Sequence, residues 1–234
     1  MLGAGPACPG IAQIMAVAGH RVTLCTPSEA LEAARAEVDG GRFGLLAAAD
    51  AGRISSDERH RALERLHFSA DLDAAADADL AVVSDPGGPE TLAPLLVEAE
   101  RRLATGAVLA VDSPGEPLAS LSGGLRRPER LVGWHWGRPV QMNKLAEIVA
   151  GAGTAESAVE IVVRVAGRAG KNPVVIADAP DSWGYVTNRI WAALHAEAAR
   201  IVAEGVARPE DVDRLLIDGF GWPAGPFGRG SEAR

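Results

Sequence analysis

The sequence predicts a layered α/β fold, a doubly wound and largely parallel sheet followed by a short all-helical segment. Three observations predict it. Short apolar runs end at Pro, Gly or Ser, helix-like stretches alternate with them, and beyond Asp178 the strand-like runs cease. A run without polar alternation suits a strand covered on both faces, as in a parallel sheet.

The elements follow in order. Only Met1 and Leu2 precede the first glycine, where a central strand of about five residues belongs. Either the start codon lies upstream or the chain carries a cut central strand and is poorly stable. A helix is expected from Gly10 to Ala18, then a strand at Arg21–Cys25 that stops at Pro27-Ser28, then a helix from Ser28 to about Val38. Ser55 and Glu58 have capping-box spacing, each side chain placed to satisfy a free backbone amide at a helix start. Leu80–Val83 is a strand ending at Pro86-Gly87-Gly88, Glu90–Leu103 a helix, and Ala107–Val111 a strand ending at Pro114-Gly115. Ala155–Gly167 reads as a helix and Val174–Ile176 as a fourth strand. A boundary near Asp178 gives a first domain at 1–178 and a partial helical domain at 179–234. Tyr185 to Glu204 reads as one long helix, and Pro209-Glu210-Asp211 opens another with residues suited to a first turn.

Composition excludes several functions. Of 234 residues 47% are hydrophobic and 23% charged, which rules out wholesale disorder. A net charge of −8 disfavours nucleic acid. No apolar run approaches the ~20 residues of a membrane span, and Met1-Leu2-Gly3 lacks the basic start of a secretory signal. Cys8 and Cys25 are too few for a disulfide framework or a four-thiolate metal site. With no membrane span or secretory signal and two cysteines, the default address is the cytoplasm; His20, His60, His67 and His195 show no ligand spacing, so no metal is expected.

Gly3-Ala4-Gly5 runs directly into a helix, as in a turn that lets the backbone approach a dinucleotide pyrophosphate at a helix N-terminus. Gly3, Gly5 and Gly10 are the candidate cofactor residues there. The third glycine of G-x-G-x-x-G is replaced by Cys8, which is expected to be a buried, inert thiol rather than an activated one. Thr26 stands where an acid would end the second strand and hold the ribose hydroxyls.

Later segments carry a resemblance. Gly133-Trp134-His135-Trp136-Gly137-Arg138-Pro139-Val140, followed by Lys144-Leu145-Ala146-Glu147, resembles the G-x-H-F-x-x-P-V and K-L-x-E segments of the 3-hydroxyacyl-CoA dehydrogenase family. Gly3-Ala4-Gly5 with Gly10-Ile11-Ala12-Gln13 resembles its start. Asp178-Ala179-Pro180 with Gly184-Tyr185-Val186-Thr187-Asn188-Arg189 resembles its hinge, and Gly219–Phe227 its G-x-G-x-P-x-G-P-F. The motifs keep the family order over nearly the whole chain. The resemblance implies a Rossmann-like first domain, NAD with NADP as an alternative, an acyl-CoA substrate of the 3-hydroxybutyryl type, and a place in fatty acid metabolism. It implies His135 as base, Glu147 as its partner and Asn188 as a donor near the reacting oxygen. It also implies a homodimer, weakened by the short C-terminus.

The chemistry fits independently: histidine titrates near neutrality, and a carboxylate on its second nitrogen fixes the tautomer and stabilises the imidazolium. Departures weigh against full activity. The family's catalytic serine falls at Pro114, an acid near the cofactor at Gly87, and an asparagine before the motif proline at Arg138. The five tryptophans, all in the second half, would either wall an acyl pocket or pack the two domains together. Two other functions stay open: dehydrogenation of a free hydroxy acid or sugar acid, and nucleotide or partner binding without catalysis.

Overall fold

The computed structural model describes residues 1–179 and 181–228. The chain divides into two compact units, Met1–Trp183 and Gly184–Arg234. The first is α/β. Its strands are β1 (Val22–Cys25), β2 (Leu66–Ser69), β3 (Leu80–Val83), β4 (Val108–Val111), β5 (Leu131–Trp136), β6 (Leu145–Ala150) and β7 (Asn172–Ala177). β1 pairs with β2, and β3 to β7 form a five-stranded run in sequence order. Residues 1 and 2 join the two groups. Leu2 bridges in parallel to both Cys25 and Val83, so residues 1 and 2 occupy the central strand position between them.

The helices form where capping and burial favour them. α1 (Cys8–Val17) follows the glycine turn and presses Ile11, Ala12, Met15 and Ala16 into the core. α4 (Ser56–Glu64) starts with the expected capping box, Ser55 and Glu58 bonding each other's backbone amides. Its predecessors are α2 (Leu31–Gly40) and α3 (Leu45–Asp50). The helix expected from Ser28 divides into a 3-10 turn at Ser28–Ala30 and then α2. α5 (Pro89–Arg102) and α6 (Leu118–Ser122) follow β3 and β4, and α7 (Glu156–Arg168) connects β6 to β7. One core gathers α1, α2, α4 and α7 around Leu24, Val82, Ala110, Val132, Trp134 and Ile148.

The sheet is largely parallel, as expected, but mixed, because β6 runs antiparallel to β5. A tight eight-residue connection cannot make the crossover that a parallel neighbour requires. The strand around Val174–Ile176 is not covered on both faces: β7 is an edge, and Val174 and Val175 are exposed. Trp134 and Trp136 also have another place. They stack at 4.2 Å within the α/β unit's own core.

The second unit contains α8 (Val186–Ala203) and α9 (Pro209–Phe220). Gly221, in the left-handed region at φ 68°, ends α9 as a side chain there would do only with strain. Asp213 Oδ1 then accepts the Phe227 N–H at 2.9 Å, folding the Gly225-Pro226-Phe227 motif back onto α9. Among the described residues no helix is long and apolar enough to cross a membrane.

Candidate active site

The antiparallel register of β5 and β6 assembles the central pair. His135 lies directly opposite Glu147, so both side chains leave the same face of the sheet. His135 Nδ1 and Glu147 Oε2 are 2.6 Å apart. A spacing of twelve in sequence is therefore one cross-strand contact. The side chains are 13% and 4% exposed, so water screens the pair weakly. Alternation along β5 sends Trp134 and Trp136 to the other face and leaves His135 on the site side.

The connection between the two strands passes through a cis Arg138–Pro139 peptide. Lys171 holds it down: its Nζ donates to the Val140 carbonyl and, at 2.6 Å, to the Asn143 carbonyl. Burial pushes the Lys171 amine down to about 8. A second tie comes from α1, where buried Gln13 bonds the Phe43 carbonyl and accepts from Gln141 at 3.1 Å. Gly10 lies beneath the same connection, and a Cβ there would press on the Gln141 amide.

The carboxyl ends of β3, β4 and β5, where α/β sheets bind their ligands, converge beside this pair. Gly3 adopts φ 110°, and a side chain at Gly3 or Gly5 would collide with Ser84 at the end of β3. The turn therefore lies flat on the sheet edge and delivers the N-terminus of α1 to it. Cys8 replaces the third motif glycine without opening the packing. Its thiol is buried against the Ser84 carbonyl, and burial pushes it up to about 12, as expected of an inert cysteine. Thr26 is buried at the end of β1, its N–H donating to the Ser69 carbonyl at 3.1 Å.

Sequence reasoning missed one group here. Asp112 follows β4, half-buried, and accepts from Ser84 Oγ at 2.8 Å. Burial raises its carboxyl, opposed by the Ser84 bond and by the charges of Arg138 and His135. Its signal was the position itself, a carboxylate at the end of a buried strand. Between Asp112 and Pro114, the Ser113 hydroxyl is turned to its own loop. Ser113 is fully buried, its Oγ bonded to Glu116 and to the Gly115 and Glu116 amides.

The hinge residues divide between the two units. Asp178 Oδ2 accepts the Leu118 N–H at 2.9 Å, tying the start of α6 to the end of β7, while Pro180 lies outside the described residues. Asn188 lies in the first turn of α8 behind Gly184 at φ 92°.

Comparison with known proteins decides what this arrangement belongs to. Residues 1–179 match the family model "3-hydroxyacyl-CoA dehydrogenase, NAD binding domain", and residues 184–233 match its C-terminal domain. The chain belongs to the 3-hydroxyacyl-CoA dehydrogenase family. Family membership makes it an NAD-dependent oxidoreductase with a Rossmann-like fold. A probable 3-hydroxybutyryl-CoA dehydrogenase of Deinococcus radiodurans is 30% identical over 97% of this chain and 80% of its own length. The 3-hydroxyadipyl-CoA dehydrogenase of Escherichia coli is 30% identical over 97% of this chain, which spans only 47% of that relative. The crystal structure of Mycobacterium tuberculosis FadB2 superposes with a TM-score of 0.88 at 30% identity, covering 96% of this chain and 78% of that one.

The residues present fit NAD in part. The flat glycine turn and an α1 N-terminus free of acids suit a pyrophosphate. Pro6 and Pro9 each remove a backbone donor from that turn. No carboxylate stands at Thr26 for the ribose.

Proposed function

We propose that this chain transfers hydride between NAD and C3 of a 3-hydroxyacyl-CoA, of the 3-hydroxybutyryl type. The observation that carries this is the 2.6 Å contact between His135 and Glu147 at the carboxyl edge of the sheet. When bound, NAD supplies the hydride acceptor or donor. His135 takes the hydroxyl proton during oxidation and returns it during reduction, with Nε2 as the exchanging nitrogen. Glu147 at Nδ1 sets the tautomer and stabilises the imidazolium. Asn188 serves as a donor to the reacting oxygen, and Gly3, Gly5 and Gly10 shape the cofactor turn with Thr26 near the ribose. Relatives named for 3-hydroxybutyryl-CoA and 3-hydroxyadipyl-CoA support a thioester rather than a free acid. We place the enzyme in the cytoplasm. Apolar residues exposed on α8 and α9, among them Ile190, Leu215 and Phe220, support pairing with a second copy.

A second reading, nucleotide binding without turnover, draws on Pro114 and on the sequestered Ser113 hydroxyl. Acetoacetyl-CoA and free acetoacetate reduction, followed through loss of nicotinamide absorbance, separate the readings. Thioester reduction abolished by His135→Ala supports the dehydrogenase. Cofactor binding with no His135-dependent turnover of either substrate establishes the non-catalytic relative.

A further inference from the structure

The amino ends of β4 and β5, opposite the ends that carry Asp112 and the dyad, border a cavity of about 390 Å³. Buried Leu103, Ala107 and Leu109 form its base. Four arginines line it, Arg101 at the end of α5 and Arg126, Arg127 and Arg130 ahead of β5. Glu100 is the acid among the lining residues, so four positive charges meet one negative charge, in a chain whose net charge is −8. Small-molecule sites fill roughly 300–1,000 Å³, and this cavity lies within that range. A strand of four residues spans about 13 Å, which separates the cavity from the candidate active site.

The arginines are held in place without being neutralised. The Glu100 carboxylate accepts the Arg126 and Arg127 backbone amides at 2.8 and 2.9 Å, which fastens their turn to α5. Arg127 Nη1 donates to the Thr105 carbonyl, and Arg130 Nη1 to the Ala107 carbonyl at 3.4 Å. Each of these bonds uses one of a guanidinium's five donors and leaves its charge unpaired. The Arg126 guanidinium has no hydrogen bond or ion pair among the described residues. Arg101 meets its nearest described carboxylate, Glu98, at 3.9 Å. Like charges gathered in this way repel one another until an anion lies between them.

We propose that this cavity is a binding site for a diphosphate group, free or carried by a nucleotide. Guanidinium forks match phosphate oxygens in geometry as well as in charge. A carboxylate brings one charge and two oxygens, too few for four forks. A phosphate monoester carries about −1.5 to −2 near neutrality, so two phosphate groups together balance the surplus of positive charge where one does not. No aromatic side chain lines the cavity to stack on a base, so the diphosphate itself is what the site reads. The glycine turn proposed for NAD lies at the carboxyl edge of the sheet, so the two ligands occupy opposite edges. Bound here, a diphosphate ties the end of α5 to the segments that lead into β4 and β5.

The test is calorimetric titration of the full chain with inorganic pyrophosphate and, separately, with ADP. At about 50 mM salt, where screening is modest, pyrophosphate should bind with Kd below about 1 mM. Arg101→Gln/Arg126→Gln should raise that Kd at least about tenfold. Both side chains are exposed, so Tm without ligand should stay unchanged. Arg61→Gln/Arg164→Gln removes the same charge from exposed positions on α4 and α7, outside the cavity, and should leave Kd within about twofold. ADP held more weakly than pyrophosphate assigns the free ion as the source, and ADP held as tightly or more tightly, with the same dependence on the Arg101 and Arg126 pair, assigns a nucleotide. No binding of either ligand at about 1 mM would overturn the proposal. So would an affinity that Arg101→Gln/Arg126→Gln leaves unchanged, or one that both double variants weaken equally.

Discussion

Replacing Glu147 by glutamine keeps the shape of the dyad and removes its charge. The contact is 2.6 Å and both side chains are largely buried. With charge centres about 4 Å apart and an effective dielectric near 20, imidazolium and carboxylate attract by about 4 kcal/mol. The glutamine carbonyl still accepts from Nδ1 and recovers a neutral hydrogen bond of about 1 kcal/mol. A net loss near 3 kcal/mol corresponds to a rate lower by roughly 150-fold. The assay is kcat for acetoacetyl-CoA reduction, with NADH affinity from tryptophan fluorescence as the control for folding. NADH affinity should stay within about twofold, since Glu147 acts on the proton rather than on the cofactor. Because the two residues act as a unit, His135→Ala/Glu147→Gln should be scarcely slower than His135→Ala alone. A single variant within threefold of wild type, or a double variant slowed by the product of the two single effects, would refute the reasoning.

Three further outcomes are expected. Pro114→Ser restores a hydroxyl beside Asp112 and should raise kcat; unchanged or lower kcat in a variant that still binds NADH would show that the pocket no longer has the family's shape. Lys171→Met removes the donor to the Val140 and Asn143 carbonyls and should cost about 1–3 kcal/mol, or ~2–10 °C in Tm. Its folded-state value of about 8 lies below the ordinary 10.5, so the unfolded chain binds more protons between those values and wild-type stability should rise with pH across that window. The methionine variant should lose that part of the slope in denaturant titrations, and an unaltered slope would mean that Lys171 does not titrate there. Thr26 offers no carboxylate to repel a 2′-phosphate, so NAD should be preferred over NADP by less than ~100-fold, about 2.7 kcal/mol; parallel titrations decide it, and a larger preference contradicts it.

Much of the α/β pattern was legible because apolar runs such as Leu80–Val83 and Ala107–Val111 are short and end at turn residues. β2, β5 and β6 were not read as strands. β2 is four residues long and only half-buried, so nothing in Leu66–Ser69 separates it from the end of the preceding helix. β5 mixes glycine, histidine and two tryptophans, and only its pairing with β4 and β6 makes Leu131–Trp136 a strand. The exposed edge at Val174 and Val175 looks like a buried strand in sequence because an edge differs from a centre only in its neighbours. The His135–Glu147 pair was visible as a family spacing, yet the hairpin register that makes it a contact was not. The tie from Lys171 to the β5–β6 connection and the Ser84–Asp112 bond were invisible. Each links residues far apart in sequence, 28 for Lys171 and Ser84 alike, and depends on how connections fold over a finished sheet.

Hydride transfer itself can be followed with NADH deuterated at the transferable position of the nicotinamide. Incubated with acetoacetyl-CoA, the wild-type chain should yield 3-hydroxybutyryl-CoA carrying one deuterium at C3, and His135→Ala should form this product at least about 100-fold more slowly. Product without the label, or labelled product formed equally fast by both proteins, would contradict a dehydrogenase working through His135.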